Sequence, residues 1–179
     1  MAWAVTEIMK DNIVEGILIP KASPNLSIPS FPPHIHVYPA AHPVPDMRST
    51  AAAQKIITLL NSTQSDDLVF VLVSGGGSAL LTAPVQEVTL EDLRELNRTL
   101  LASGVSIEEI NAIRKHLSRL KGGRLAKQAS HASLITLILS DVIGNPLDAI
   151  ASGPTVPDPT TYQESLKIIH HHHIQELLP

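Results

Sequence analysis

The sequence predicts an α/β fold, a Rossmann-like layered sandwich with a mainly parallel sheet and helices on both faces. Two uninterrupted apolar runs, LVFVLV (68–73) and LITLILS (134–140), have the composition of parallel strands covered on both sides. Segments with apolar residues at helical spacing lie between and around them, so strands alternate with helices. Aromatic residues are 3% of the chain against 44% hydrophobic residues, which makes the core aliphatic. A length of 179 residues suits a single domain.

Taken in order, Ala2 to Lys10 reads as a helix with Asp11-Asn12 as its stop, although nothing before it can serve as a cap. VEGILIP (14–20) reads as a strand. Residues 22–33 contain four prolines and three serines and form an exposed loop. HIHVYPA (34–40) alternates, with His34, His36 and Tyr38 on one face, as a half-buried strand does. A helix over 48–62 follows, with Asp46 as its N-cap. After LVFVLV come two more helices: 90–103, capped by Thr89, and 107–120, opened by the Ser106/Glu109 capping box. RLAKQAS continues as a helix beyond Gly122-Gly123, and 160–173 is helical again. Four histidines, 170–173, end that segment; IQELLP follows them, so they read as native sequence.

Composition narrows the function. The net charge is −4, with 13 Lys and Arg against 17 Asp and Glu, which supplies no field for nucleic acid or an anionic membrane. No cysteine is present, so thiolate catalysis, disulfides and Cys-type metal sites are excluded. The N-terminus has no basic leader or long apolar run, and the chain reads as soluble, unexported and cytoplasmic. His34, His36 and His42 lack a carboxylate to complete a metal site, and adjacent helical histidines at 170–173 point in different directions.

Three motifs carry chemistry. Ser74-Gly75-Gly76-Gly77-Ser78 follows the first buried strand, where parallel sheets bind ligands. Successive backbone N–H groups there can converge on a phosphate or carboxylate, at the start of a helix near Ser78. It is neither a Walker A loop nor a G-x-G-x-x-G fingerprint, and a tight structural turn is the alternative. In NAIRKHLSRLKGGRL, Asn111, Arg114, Ser118 and Lys121 recur along one helix stripe with Lys115 beside it, a pattern suited to a polyanion. Charges on a solvated helix face are the alternative. In SDVIGNPLDAIASGPTVPDP, Asp141 sits at a strand end and can hold Mg²⁺, orient a hydroxyl or simply cap a turn. Ser152-Gly153-Pro154-Thr155 offers a second anion-binding turn. HPVPD (42–46) ends another strand and offers His42 and Asp46 to the same region, or is purely structural.

With SGGGSALL, INAIRKHLSRLKGGRLA and LILSDVIGNPLDAIASGPTVPDP together, and AAHPVPD before them, the chain closely resembles glycerate 2-kinases of the MOFRL-domain type from about Val14 to Pro179. The resemblance implies an ATP- and Mg²⁺-dependent phosphotransferase that converts D-glycerate to 2-phosphoglycerate. Its alternatives are a non-catalytic nucleotide- or anion-binding module and, for relatives labelled hydroxypyruvate reductases, a reductase that the missing dinucleotide fingerprint disfavours. By resemblance, Arg114, Lys121 and Asp141 are the catalytic candidates, with Asp141 also the metal candidate. Ser74, Gly75, Gly76, Gly77, Ser78, Lys115, Ser152, Gly153 and Thr155 are the substrate and phosphate candidates. The partners it implies are glycerate and ATP, with a homodimer as one oligomeric state open to it. Family members carry a lysine-bearing segment before the first helix and a closing domain after this region. Residues 1–179 therefore read as one incomplete N-terminal α/β domain.

Overall fold

A computed structural model describes residues 1–25, 27–140 and 142–177. The chain runs α1 (Ala2–Met9), β1 (Gly16–Leu18), β2 (Ile35–Val37), α2 (Met47–Asn61), β3 (Leu68–Val73), α3 (Gly77–Leu80), α4 (Leu90–Ala102), α5 (Ile107–His116), α6 (Arg124–Gln128), β4 (Ser133–Ile138) and α7 (Tyr162–His171). Short 3-10 turns cover Lys10–Asn12, Ile150–Ser152 and Ile174–Glu176. Alternating strands and helices make it a mixed α/β structure, as the sequence indicates.

Four helix starts are fixed by reciprocal capping boxes, with Asp46 and Ser49 on α2, Thr89 and Asp92 on α4, Ser106 and Glu109 on α5, and Thr161 and Glu164 on α7. Each box satisfies backbone donors that a helix start leaves open. The sequence runs α5 on to residue 120, but it stops at His116. Ser118 Oγ accepts hydrogen bonds from the N–H groups of Leu120 and Lys121, each at 3.2 Å, and diverts the backbone from the helical pattern.

Both strand pairs are parallel, but they form two separate two-stranded sheets, β1–β2 and β3–β4. The second is in register from Leu68 opposite Ser133 to Val73 opposite Ile138. One of its faces carries Val69, Val71 and Leu134 against Ala53, Ile57 and Leu60 of α2, and Leu125 of α6. The other is uncovered on β4, where Ile135 and Leu137 are 42% and 41% exposed. Helices on both faces of this sheet are thus not what the described residues show; the apolar composition of LITLILS conceals an alternating burial pattern. A second, all-helical core joins Leu96 and Leu100 of α4, Ile110 and Ile113 of α5, and Ile174, with Ile168 and Ile169 of α7 packed on it. Among the described residues no helix is long and apolar enough to cross a membrane.

Candidate anion-binding site

The glycine loop is shaped by its neighbours. β3 ends at Val73, Ser74 and Gly75 are exposed, and Gly76 turns the chain at φ +82° into α3. A Cβ on Gly76 would sit 2.9 Å from the His42 ring, and one on Gly77 would sit 2.8 Å from Cβ of Ala151. Close approach therefore explains two of the three glycines: the loop is clamped between the turn after β2 and the turn before Gly153. His42 reaches the loop, whereas Asp46 is engaged as the cap of α2 and in an ion pair with Arg48 at 2.7 Å.

Residues 151–153 form the second wall. Ala151, Ser152 and Gly153 are consecutive left-handed residues, at φ +52°, +59° and +57°. For the two that carry a Cβ this conformation costs roughly 1–2 kcal/mol each. It aims the fully buried Ser152 at the glycine loop: Ser152 Oγ lies 2.9 Å from Ser78 Oγ and 3.2 Å from Asn111 Oδ1. The Lys121–Leu125 turn is bound to the same segment, with Gly122 N–H donating to Ser152 O at 3.0 Å and Gly123 N–H to Gly153 O at 2.7 Å.

Lys121 comes off this turn and is 6% exposed. Its Nζ donates to the carbonyls of Ser78 at 2.7 Å and Leu81 at 3.0 Å, closing the C-terminal end of α3. Burial first, and the charge of Arg114 second, push its ammonium down to about 7. Arg114 is also held below its usual value by burial, and its Nε donates to Asn97 Oδ1 at 2.5 Å. Neither cation makes an ion pair among the described residues. With no counter-charge among the described residues, Lys121 is an anion-seeking group at the end of α3, where Ser78 meets Ser152 and Asn111, and half-buried Arg114 is close enough to disfavour its charge. The buried lysines are not the solvated helix face that the sequence left as an alternative.

Lys115 behaves differently. It is 3% exposed and lies 3.3 Å from both Asp148 Oδ2 and Asp158 Oδ1, so its charge is matched. Burial works against the Asp158 carboxylate, but hydrogen bonds from Thr160 and the charge of Lys115 hold it below the usual range. His116, stacked on Tyr162 at 4.3 Å between centroids, is lowered by burial against the opposing pull of Asp158. Thr155 lies apart from Ser78 and Ser152, in a shallow depression of about 280 Å³ with Gly122, Gly123 and Lys127. Asp141 lies outside the described residues. The sequence marks Asn111 only by its place on the stripe, and the strain at Ala151 and the Asp148 and Asp158 counter-charges leave no spacing signature. The turn that the sequence offers at Ser152-Gly153-Pro154-Thr155 is present at Ser152 and Gly153, both at positive φ. No group of three His, Asp or Glu residues gathers as a metal site among the described residues.

The whole chain, residues 1–179, matches the family model described as "Domain of unknown function (DUF4147)". It is 41% identical over 179 residues to a glycerate 2-kinase of Pyrococcus horikoshii, covering 100% of this chain and 39% of the relative. It is 47% identical over 169 residues to a putative hydroxypyruvate reductase of Agrobacterium vitis, covering 94% of this chain and 38% of that one. The crystal structure of a glycerate kinase from Thermotoga maritima superposes with a TM-score of 0.91 at 38% identity, over 99% of this chain and 44% of that one. The chain thus spans about two fifths of the length of these relatives.

Proposed function

This chain belongs to the DUF4147 family, and from its homology to glycerate 2-kinases over part of their length we propose that it supplies the phosphate- and carboxylate-binding half of an ATP-dependent D-glycerate 2-kinase. The observation that carries this reading is the pair of cations, half-buried Arg114 and buried Lys121, that make no ion pair among the described residues, with Lys121 bonded to the end of the glycine-loop helix whose Ser78 meets the strained Ser152 turn.

In the proposed reaction the 2-hydroxyl oxygen of D-glycerate forms a bond to the γ-phosphorus of ATP. The bond to the β–γ bridging oxygen breaks, ADP leaves, and the hydroxyl proton is released. Arg114 offers a planar fork to the glycerate carboxylate or to the transferring phosphoryl group. Lys121 supplies a desolvated charge whose attraction is strong because water is excluded. The Ser74–Ser78 loop contributes backbone N–H groups and the Ser78 hydroxyl toward anionic oxygens, and Ser152 and Gly153 hold the opposite wall. Lys115, locked to Asp148 and Asp158, positions the end of α5. Thr155 belongs to the margin of the site. Mg²⁺ is part of the proposal through the family; its candidate ligand, Asp141, lies outside the described residues, and no step is assigned to it.

The test is ATP- and D-glycerate-dependent ADP release, measured on residues 1–179 and on the same chain joined to the complementary part of the Thermotoga maritima relative. Turnover is expected in the joined protein, with Arg114→Ala and Lys121→Ala each lowering kcat/KM by about a hundredfold or more. Unchanged kcat/KM in both variants would remove the role given to the cation pair. No turnover in either form would sink the kinase reading. NADH oxidation with hydroxypyruvate would replace it with the reductase activity named for the Agrobacterium vitis relative.

A further inference from the structure

Ser152, the buried hydroxyl that faces Ser78 and Asn111, sits in a loop gripped at both ends by one side chain. Asp148 stands just before the left-handed run Ala151-Ser152-Gly153 and Asp158 just after it. Lys115 Nζ lies 3.3 Å from Asp148 Oδ2 and 3.3 Å from Asp158 Oδ1, with its side chain 3% exposed. No other cation among the described residues pairs with Asp148, whereas Asp158 also has His116 Nε2 at 3.8 Å.

The packing around these groups leaves the loop little slack. A Cβ on Gly153 would lie 2.9 Å from Cα of Asp148, and one on Gly122 would lie 3.0 Å from Asp158 Oδ2. Thr160 fixes the Asp158 carboxylate, donating to Oδ1 from its backbone N–H at 3.0 Å and from its hydroxyl at 2.7 Å. Between the two carboxylates the one regular element is the 3-10 turn at Ile150–Ser152, and left-handed Ala151 and Ser152 persist only where their surroundings over-determine them. Gly122 and Gly123 supply part of that constraint, through their N–H bonds to Ser152 O and Gly153 O.

We propose that Lys115 is a positioning residue: by drawing Asp148 and Asp158 together it closes the 148–158 loop and holds Ser152 against the glycine loop. The assignment rests on the reading of this region as the anion site, and it takes Lys115 out of contact with the anion. Two carboxylates more than match its ammonium, so it has no charge left to offer a phosphate. Its charge is spent on backbone placement. Without the ammonium, two like charges would face each other across the ends of the loop and drive them apart. The two roles differ in sign at Asp148. A clamp fails when Asp148 loses its charge, whereas a lysine that touched the anion would be freed by the same change and bind it more tightly.

The experiment follows backbone hydrogen exchange by NMR and binding of inorganic phosphate in the 179-residue chain and in its Asp148→Asn and Lys115→Met variants. The Asp148 side chain is 42% exposed, so Asp148→Asn leaves both cores in place. Exchange at the Gly122 and Gly123 amides is expected to speed up by about tenfold in Asp148→Asn, with Ile57 of α2 and Leu100 of α4 unchanged. The phosphate Kd should rise by about threefold to tenfold, because the binding-competent loop is less populated. Lys115→Met should show both effects more strongly, and adding Asp148→Asn to it should reverse part of them by removing the repulsion. Tighter phosphate binding in Asp148→Asn would overturn the proposal and return Lys115 to the anion. Unchanged exchange at Gly122 and Gly123, or equal acceleration at Ile57 and Leu100, would also overturn it. So would a loosened loop with undiminished phosphate affinity. Accelerated exchange at Gly122 and Gly123 alone, in a chain whose parent does not bind phosphate, would uphold the clamp and remove the anion reading of the site.

Discussion

Lys121 puts a measurable signature on the candidate site. Its folded-state value of about 7 lies below the ordinary value of 10.5. As the pH falls through the interval between them the unfolded chain takes up the proton first, so burial of this group costs stability progressively from about pH 10.5 down to about pH 7, and no further below. The chain should therefore gain on the order of 2 kcal/mol between pH 7 and pH 9 from this residue. Urea midpoints at the two pH values, compared with Lys121→Met, isolate the effect; identical pH dependence in both would show that Lys121 is not desolvated. A second residue-scale feature is the contact of Gly77 with Ala151, because both atoms of the close pair would be fixed by backbone. Gly77→Ala should cost about 2 kcal/mol, whereas Ala151→Gly relieves a left-handed alanine and should be close to neutral. In the double variant most of the Gly77→Ala cost should disappear. A double-mutant cycle showing additivity within about 0.5 kcal/mol would mean the two turns do not touch as described.

At the scale of elements, what the sequence makes legible is set by how local the signal is. The caps at Asp46, Thr89 and Ser106 act on residues three positions away, and α4 and α5 begin where the sequence places them, α2 one residue earlier; α7, whose Thr161 cap the sequence reading does not single out, begins two residues later. LVFVLV is a strand along its whole length, 68–73. The end of α5 is another matter: apolar periodicity runs through Leu117 and Leu120, which are indeed turned inward, but periodicity cannot register that Ser118 competes for the backbone. Leu120 is fully buried at the end of a turn, not on a helix. That turn is what delivers Lys121 to the end of α3. Ser118→Ala would leave two buried N–H groups without their acceptor, and should destabilise the chain by about 1–3 kcal/mol. It should also weaken anion binding, because Lys121 loses its fixed approach. Chemical denaturation and phosphate titration test both halves, and a variant as stable as the parent with unchanged binding would show that Ser118 does not hold the turn.

For the whole molecule, the charge and composition exclusions and the alternation of strands and helices could be read directly, but the division into two sheets could not. It depends on which strand edges find partners, a property of chain far apart in sequence. The same distance hides the site: Ser78, Asn111, Lys121 and Ser152 come from four separate segments, brought together by turns whose geometry rests on Gly76, Ser118 and Ala151. Because the resulting pair of cations has no counter-charge among the described residues, an anion that binds there should stabilise the entire fold. Ligand present at about a hundred times its Kd contributes about 2.7 kcal/mol, which for a chain of this size raises Tm by roughly 5–10 °C. Inorganic phosphate is the simplest probe, and ATP should act at lower concentration because it offers more anionic oxygens to the loop. At pH 8 binding should draw a proton onto Lys121, so calorimetric heats should depend on the ionisation enthalpy of the buffer. Lys121→Met should abolish both the proton uptake and most of the thermal shift. A shift of equal size in that variant would place the anion elsewhere, and no shift in the parent would mean that Arg114 and Lys121 remain uncompensated for reasons other than ligand binding.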